Sequence, residues 1–169
     1  AMERQGELIF IPFGGGDLWL WVDRLAALGK PEFHLYDREE PPETEQRKRA
    51  AAMVNMRPGC EARLTSKRSL ENYLHAAAIR EVSGIEMAVS DDCHVADLIA
   101  QEGHIRQGGE PPWDELPRRT HTRRCNRVKK WLVTKAVDRM TPERLDERDP
   151  EGEVVSWLRT IAHLAERSP

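Results

Sequence analysis

Apolar positions along the chain follow two periods. Residues 8–13 (LIFIPF) are an unbroken apolar run of strand length, as expected of a strand covered on both faces. Leu18, Trp21, Val22, Leu25 and Leu28 then recur at helical spacing, ahead of Gly29 and Pro31, which stop a helix. Gly14, Gly15 and Gly16 allow a tight turn between the two, and Asp17 is placed to cap the helix. Trp19 falls off the stripe and reads as a rim residue. Residues 33–36 form the next strand. A helix then runs from Glu43 or Thr44 to about Asn55, with Glu45, Arg47, Lys48 and Arg49 on its polar face and Pro58-Gly59 as its stop. A third strand is expected over 60–65 and a short fourth over 85–89. Strands alternating with helices give an α/β fold, a parallel sheet flanked by helices.

The remaining pattern is mostly helical. Ser69 can cap a helix holding Leu70, Tyr73 and Leu74. Asp91 and Asp92 are placed to cap another that begins near His94, with Val95, Leu98 and Ile99 facing inward. Gly103, Gly108, Gly109, Pro111, Pro112 and Pro117 interrupt any period and predict a loop over 103–120. A helix follows from about Arg124 to Met140, with Val128, Trp131, Leu132 and Ala136 inward. Thr141 and Pro142 open the next one as cap and first residue. The last, over about 151–166, carries Val154, Val155, Trp157, Leu158, Ile161 and Leu164. The expected division is an α/β domain over 7–102, a linker over 103–120 and a C-terminal helical segment over 121–167.

Composition narrows the class. The chain has 169 residues, 33% of them charged and 39% hydrophobic, which suits a globular domain with a real core. No apolar run approaches the roughly 20 residues of a membrane span. With no signal peptide in view, a cytoplasmic protein is expected, and Ala1-Met2 reads as a cloning remnant. Cys60, Cys93 and Cys125 are odd in number and widely spaced, so neither a disulfide framework nor a zinc ribbon is expected. Cys93-His94 is the only adjacent Cys/His pair. Net charge is −3, but it is unevenly spread. Residues 116–134 hold Arg118, Arg119, Arg123, Arg124, Arg127, Lys129 and Lys130 and no acid, a candidate surface for DNA phosphates.

Candidate chemistry gathers where the strand over 33–36 ends in Asp37-Arg38-Glu39-Glu40. The carboxyl ends of parallel strands are where α/β folds place ligands. Asp37 with Glu39 or Glu40 could cradle Mg²⁺ or Mn²⁺, which prefer oxygen ligands; the plain alternative is a solvated acidic loop. Downstream, Lys67-Arg68-Ser69-Leu70-Glu71-Asn72-Tyr73-Leu74 is a basic turn followed by one more acid among apolar neighbours.

Together, Ile11-Pro12-Phe13-Gly14-Gly15-Gly16, Tyr36-Asp37-Arg38-Glu39 and Lys67-Arg68-Ser69-Leu70-Glu71-Asn72-Tyr73-Leu74 resemble, in order and spacing, the Toprim domain of OLD-family (overcoming lysogenization defect) ATP-dependent endonucleases. The resemblance covers about residues 7–80. It implies a Toprim-like sheet and metal-dependent hydrolysis of DNA strands. It also implies Asp37 and Glu39 as metal ligands, Glu71 as a further catalytic and metal-binding acid, and Lys67 or Arg68 steadying phosphate. An ATPase domain, in this chain or a partner, and pairing of nuclease domains would follow. No GxxxxGK[ST] occurs, and the family's glutamate in a Val-Glu-Gly-like motif has no counterpart. A second expectation is therefore a catalytically incomplete Toprim remnant that binds DNA or protein. A receiver-like domain with Asp37 as phospho-acceptor is disfavoured, because no acidic pair follows the first strand.

Overall fold

Glu32–Tyr36 (β1) and Cys60–Leu64 (β2) are the two strands found among the described residues. They run parallel in one ladder, from Glu32 opposite Cys60 to Tyr36 opposite Leu64. The structure, a computed structural model, describes residues 2–13 and 17–166 and divides into two units, Ala1–Ser66 with Gly152–Pro169 and Lys67–Glu151. This division differs from the boundaries expected of the sequence. The fold is mixed α/β, with a small parallel sheet and seven α-helices among the described residues.

In the first unit, α1 (Leu18–Asp23) precedes β1, and α2 (Glu43–Asn55) is the crossover to β2. Ala50, Ala51 and Val54 of α2 meet Tyr36, Ala62, Leu18 and Val22 in one core. Asn55 fastens the end of α2 to the sheet, its amide donating to the Ala62 carbonyl (3.1 Å) and accepting the Ala62 N–H (2.7 Å). Strand side chains alternate between faces. Arg63 therefore points away from Ala62, and its guanidinium donates to Ser156 Oγ (2.9 Å) and Thr160 Oγ1 (3.0 Å) of α7 (Glu153–Glu166). Trp157 is the buried residue of that helix, whereas Leu158 is exposed.

Three expectations fail here. Residues 8–13 form no strand, and Ile9, Phe10 and Ile11 are exposed. An apolar run supplies a surface to cover, but a strand also needs a ladder partner. Only Phe13 of this run joins the core, stacked on Trp21 at 5.5 Å. The helix expected to reach Leu28 ends at Asp23. A 3₁₀ turn (Ala26–Leu28) follows, capped by left-handed Gly29, and Leu28 is exposed. Asp17 makes no side-chain cap bond. Gly14, Gly15 and Gly16 lie outside the described residues.

The period of two also places Glu32, His34 and Tyr36 on one face of β1. His34 Nδ1 is 2.9 Å from Tyr36 Oη, and His34 Nε2 is 2.8 Å from Glu32. Arg57 grips the same carboxylate with both terminal nitrogens, at 2.8 and 3.1 Å. Burial pushes Tyr36 up to about 12. Burial also raises Glu32, but the bonds and charges of Arg57 and His34 outweigh it and leave its pKa below 4.5. A carboxyl depressed by folding stabilises the fold above its unfolded pKa and loses that contribution as pH falls through the folded value. Glu32→Gln is thus expected to cost about 1–3 kcal/mol at neutral pH. It should also flatten the decline of stability below pH 4.5, read by denaturant titration across pH; an unchanged acid limb would exclude Glu32 as its source.

The second unit holds α3 (Ala76–Ser83), α4 (Val95–Arg106), α5 (Arg118–Trp131) and α6 (Pro142–Arg148). Its core joins Ile79, Ile85, Val95, Ile99, Trp113, Val128, Leu132 and Ala136. Residues 85–89 lie in irregular coil rather than a strand, with Met87 and Val89 packed against that core. Leu98 faces outward, 40% exposed. The expected loop over 103–120 is shorter at both ends, because α4 continues to Arg106 and α5 begins at Arg118. After α5 come a π-turn (Leu132–Ala136) and a 3₁₀ turn (Val137–Arg139). Thr141 caps α6 as expected, accepting the Arg144 N–H at 3.3 Å.

Candidate functional site

In the first unit, the carboxyl ends of β1 and β2 are tied together. The Thr65 N–H donates to the Tyr36 carbonyl (2.9 Å), and the Arg38 N–H donates to Thr65 Oγ1 (2.9 Å). Asp37 therefore leaves the sheet at its carboxyl end, half-buried. Glu39, also half-buried, is the one non-glycine residue with positive φ among the described residues, at 54°. Left-handed backbone costs a residue with a Cβ about 1–2 kcal/mol and tends to collect at functional sites. The Glu39 carbonyl accepts from Thr44 Oγ1 at 3.2 Å, and its carboxylate lies 3.8 Å from Arg47. Beyond β2, the Ser66 N–H donates to Glu153 at 3.0 Å, and Ser66 Oγ donates to it as well. Glu153 thus joins the same end of β2. Its distance in sequence hid it, and no motif marks it.

In the second unit, the basic turn folds inward around its own polar groups. Lys67 and Arg68, expected to face phosphate, are each under a tenth exposed. Lys67 Nζ donates to Asp91 (2.7 Å) and lies over the Tyr73 ring, while the Arg68 guanidinium donates to the Asp92 carbonyl (3.3 Å). Arg148 donates to the same Asp91 carboxylate at 2.8 Å. Asp91 therefore does not cap α4. The Lys67 hydrogen bond, with Arg148 beside it, holds its carboxyl below the usual range. Glu71 falls in a 3₁₀ turn (Leu70–Tyr73) at 9% exposure, and Lys129 reaches it from α5 at 3.7 Å. Asp37 and Glu39 thus belong to the first unit and Glu71 to the second.

The expected DNA-facing residues sit on α5. Arg118, Arg119, Arg123, Arg127 and Lys130 are exposed and Arg124 is half-buried. Arg123, Arg124, Arg127 and Lys135 line a cleft of about 400 Å³ whose floor includes Ile99, Val128 and Trp131. No Asp or Glu lines it.

Among the described residues, one group of His, Cys, Asp and Glu side chains lies close enough to hold an ion: Asp97, His121 and Cys125, with ligand atoms within 4.8 Å of one another. None of Asp37, Glu39 or Glu71 belongs to it. His121 and Cys125 stand one turn apart on α5, and Asp97 comes from α4. Burial first, then the Asp97 charge, pushes the Cys125 thiol up to about 11. Cys125 is therefore a poor nucleophile as it stands. The i, i+4 spacing of His121 and Cys125 was the available sequence signal. It escapes notice if the helix is started at Arg124.

No protein-family model, curated protein or solved structure matches the chain. Among the described residues, no helix is long and apolar enough to cross a membrane.

Proposed function

We propose that the chain is the nuclease portion of an OLD-like ATP-dependent endonuclease, hydrolysing DNA phosphodiesters with Mg²⁺ or Mn²⁺. The observation that carries this reading is Asp37, at the carboxyl end of a parallel strand–helix–strand unit, followed by Glu39 in a strained left-handed conformation. Clustered carboxylates repel unless a cation neutralises them. A divalent ion held there would supply a water nucleophile and steady the leaving oxygen. Asp37 and Glu39 are assigned as ligands; the part of Glu71, which belongs to the second unit, rests on the sequence resemblance alone. The sequence resemblance supports the Toprim-like assignment of the sheet, an ATPase partner and pairing of nuclease domains. Lys67 and Arg68 serve here as internal braces of the turn that holds Glu71, and contact with the DNA backbone falls to Arg118, Arg119, Arg123, Arg124, Arg127 and Lys130.

A second reading, a catalytically incomplete domain that binds DNA without cutting it, is favoured by the Glu71–Lys129 pair, which already neutralises that acid. Relaxation of supercoiled plasmid by the full chain separates the two. Cutting that needs Mg²⁺ or Mn²⁺ and stops with chelator supports the nuclease. No cutting with either ion, alongside salt-sensitive DNA binding, supports the second reading. Six phosphate contacts from α5 predict a log–log salt slope of roughly −5 to −6 for duplex DNA. Arg123→Ala with Arg127→Ala should reduce that slope by about 2; an unchanged slope would remove the cleft from the DNA interface.

A further inference from the structure

We propose that Asp97, His121 and Cys125 form a site for a zinc-type transition-metal ion, three protein ligands and one open position, that clamps α4 to α5. The donors are of the right kind. Thiolate, imidazole and carboxylate together suit Zn²⁺ and its neighbours, whereas Mg²⁺ avoids sulfur and nitrogen. The spacing is also right. Cys125 Sγ lies 3.5 Å from Asp97 Oδ1 and 3.8 Å from His121 Nδ1. Bonds of the usual zinc lengths at tetrahedral angles separate such donors by roughly 3.4–3.6 Å. Only a shift of a few tenths of an ångström separates that pair of distances from a bound geometry.

The surroundings hold the ligands in place. His121 and Cys125 are fixed by one turn of α5, a spacing that gives both side chains the same face. The Trp113 ring packs on His121 with centroids 4.4 Å apart, and Trp113 is itself buried. His121 Nε2 lies 3.0 Å from Asp97. Each ring nitrogen thus faces one of the other two donors, and an ion is bound once the imidazole re-orients to aim one of its nitrogens between the Cys125 sulfur and the Asp97 carboxylate. All three residues are half-buried, so an ion can enter from solvent and keep a water as its fourth ligand. On binding, the Cys125 thiol proton leaves to water, sulfur becomes the ligand, and His121 binds as neutral imidazole. The site lies wholly in the second unit, and its sulfur ligand makes it independent of the acids assigned to the nuclease.

Cobalt titration of the full chain tests this directly, because Co²⁺ takes zinc's place and reports bound thiolate by charge-transfer absorption. The expected result is a band that saturates at one equivalent and is displaced by Zn²⁺. Cys125→Ser should abolish it, and Cys60→Ser or Cys93→Ser should leave it intact. Asp97→Asn and His121→Asn should each weaken binding at least about tenfold, no less than the loss of an outer partner costs. No thiolate band, or a band that survives Cys125→Ser, overturns the site. Should Cys125→Ser fail to fold, alkylation of the wild type decides. Zn²⁺ should slow modification of Cys125 at least about tenfold relative to Cys60 and Cys93, and equal rates with and without Zn²⁺ would reject the proposal.

Discussion

Asp37→Ala is expected to reduce Mg²⁺- or Mn²⁺-dependent plasmid cutting at least about a hundredfold, since losing a direct ligand exceeds the cost of losing a partner one shell out. Asp37→Asn should fail almost as badly, because it keeps the shape and removes the charge that attracts the ion. DNA affinity should hold in both, because the cations assigned to the backbone are on α5. Glu45→Ala is the control. That carboxylate is 58% exposed, engages Lys48 on the polar face of α2, and is expected to leave the rate unchanged. Glu39→Gly separates the needs of chemistry from those of the fold. Glycine accepts a φ of 54° without the Cβ clash, so stability should hold or rise by up to about 1 kcal/mol while cutting is lost. A wild-type rate in Asp37→Ala, in protein that cuts at all, would take the metal away from this end of β1.

The strand–helix–strand of the first unit was legible because each of its parts is written locally. The apolar stretch before Asp37 predicts β1, Pro58-Gly59 stops α2, and residues 60–64 pair as expected. The misses concern partners, which no local pattern encodes. Residues 8–13 and 85–89 have strand-like surfaces, yet neither joins the ladder. Gly103 costs a helix about 1 kcal/mol relative to alanine, but α4 runs through it because Ile99, Ala100 and His104 are buried on either side. The candidate site divides the same way. The acids at the end of β1 were visible in the sequence. The inward turning of Lys67 and Arg68 depends on Asp91, Asp92 and Arg148, which lie 23 or more residues away. Asp97 reaches the His121–Cys125 pair from a different helix, which is why a spacing readable on α5 did not by itself declare a site.

The Asn72 side chain should prove the most sensitive single amide in the second unit. It is fully buried, and all of its hydrogen-bonding capacity is in use. Oδ1 accepts from the Ser69 N–H (3.1 Å) and from Ser69 Oγ (2.7 Å), while Nδ2 donates to the carbonyls of Ser90 and Cys93, both at 2.9 Å. One side chain thus pins the turn that carries Glu71 to the segment leading into α4. Asn72→Ala strands the Ser69 N–H and weakens the solvation of two carbonyls. Each unsatisfied group costs about 1–3 kcal/mol; some partners have second bonds, so the expected loss is about 2–4 kcal/mol. Hydrogen exchange over residues 70–106 reads that loss within the unit. Asn72→Asp sharpens the argument, because it keeps the acceptor for Ser69 but turns the donor into an oxygen facing two carbonyls. Its carboxyl should ionise only above the usual aspartate value of about 3.9 in the folded state. A carboxyl raised by folding stabilises less as pH rises, so this variant should gain stability on acidification through that range. Exchange in Asn72→Ala within about 0.5 kcal/mol of wild type, the range of an ordinary surface change, would mean that the amide does not hold these segments together.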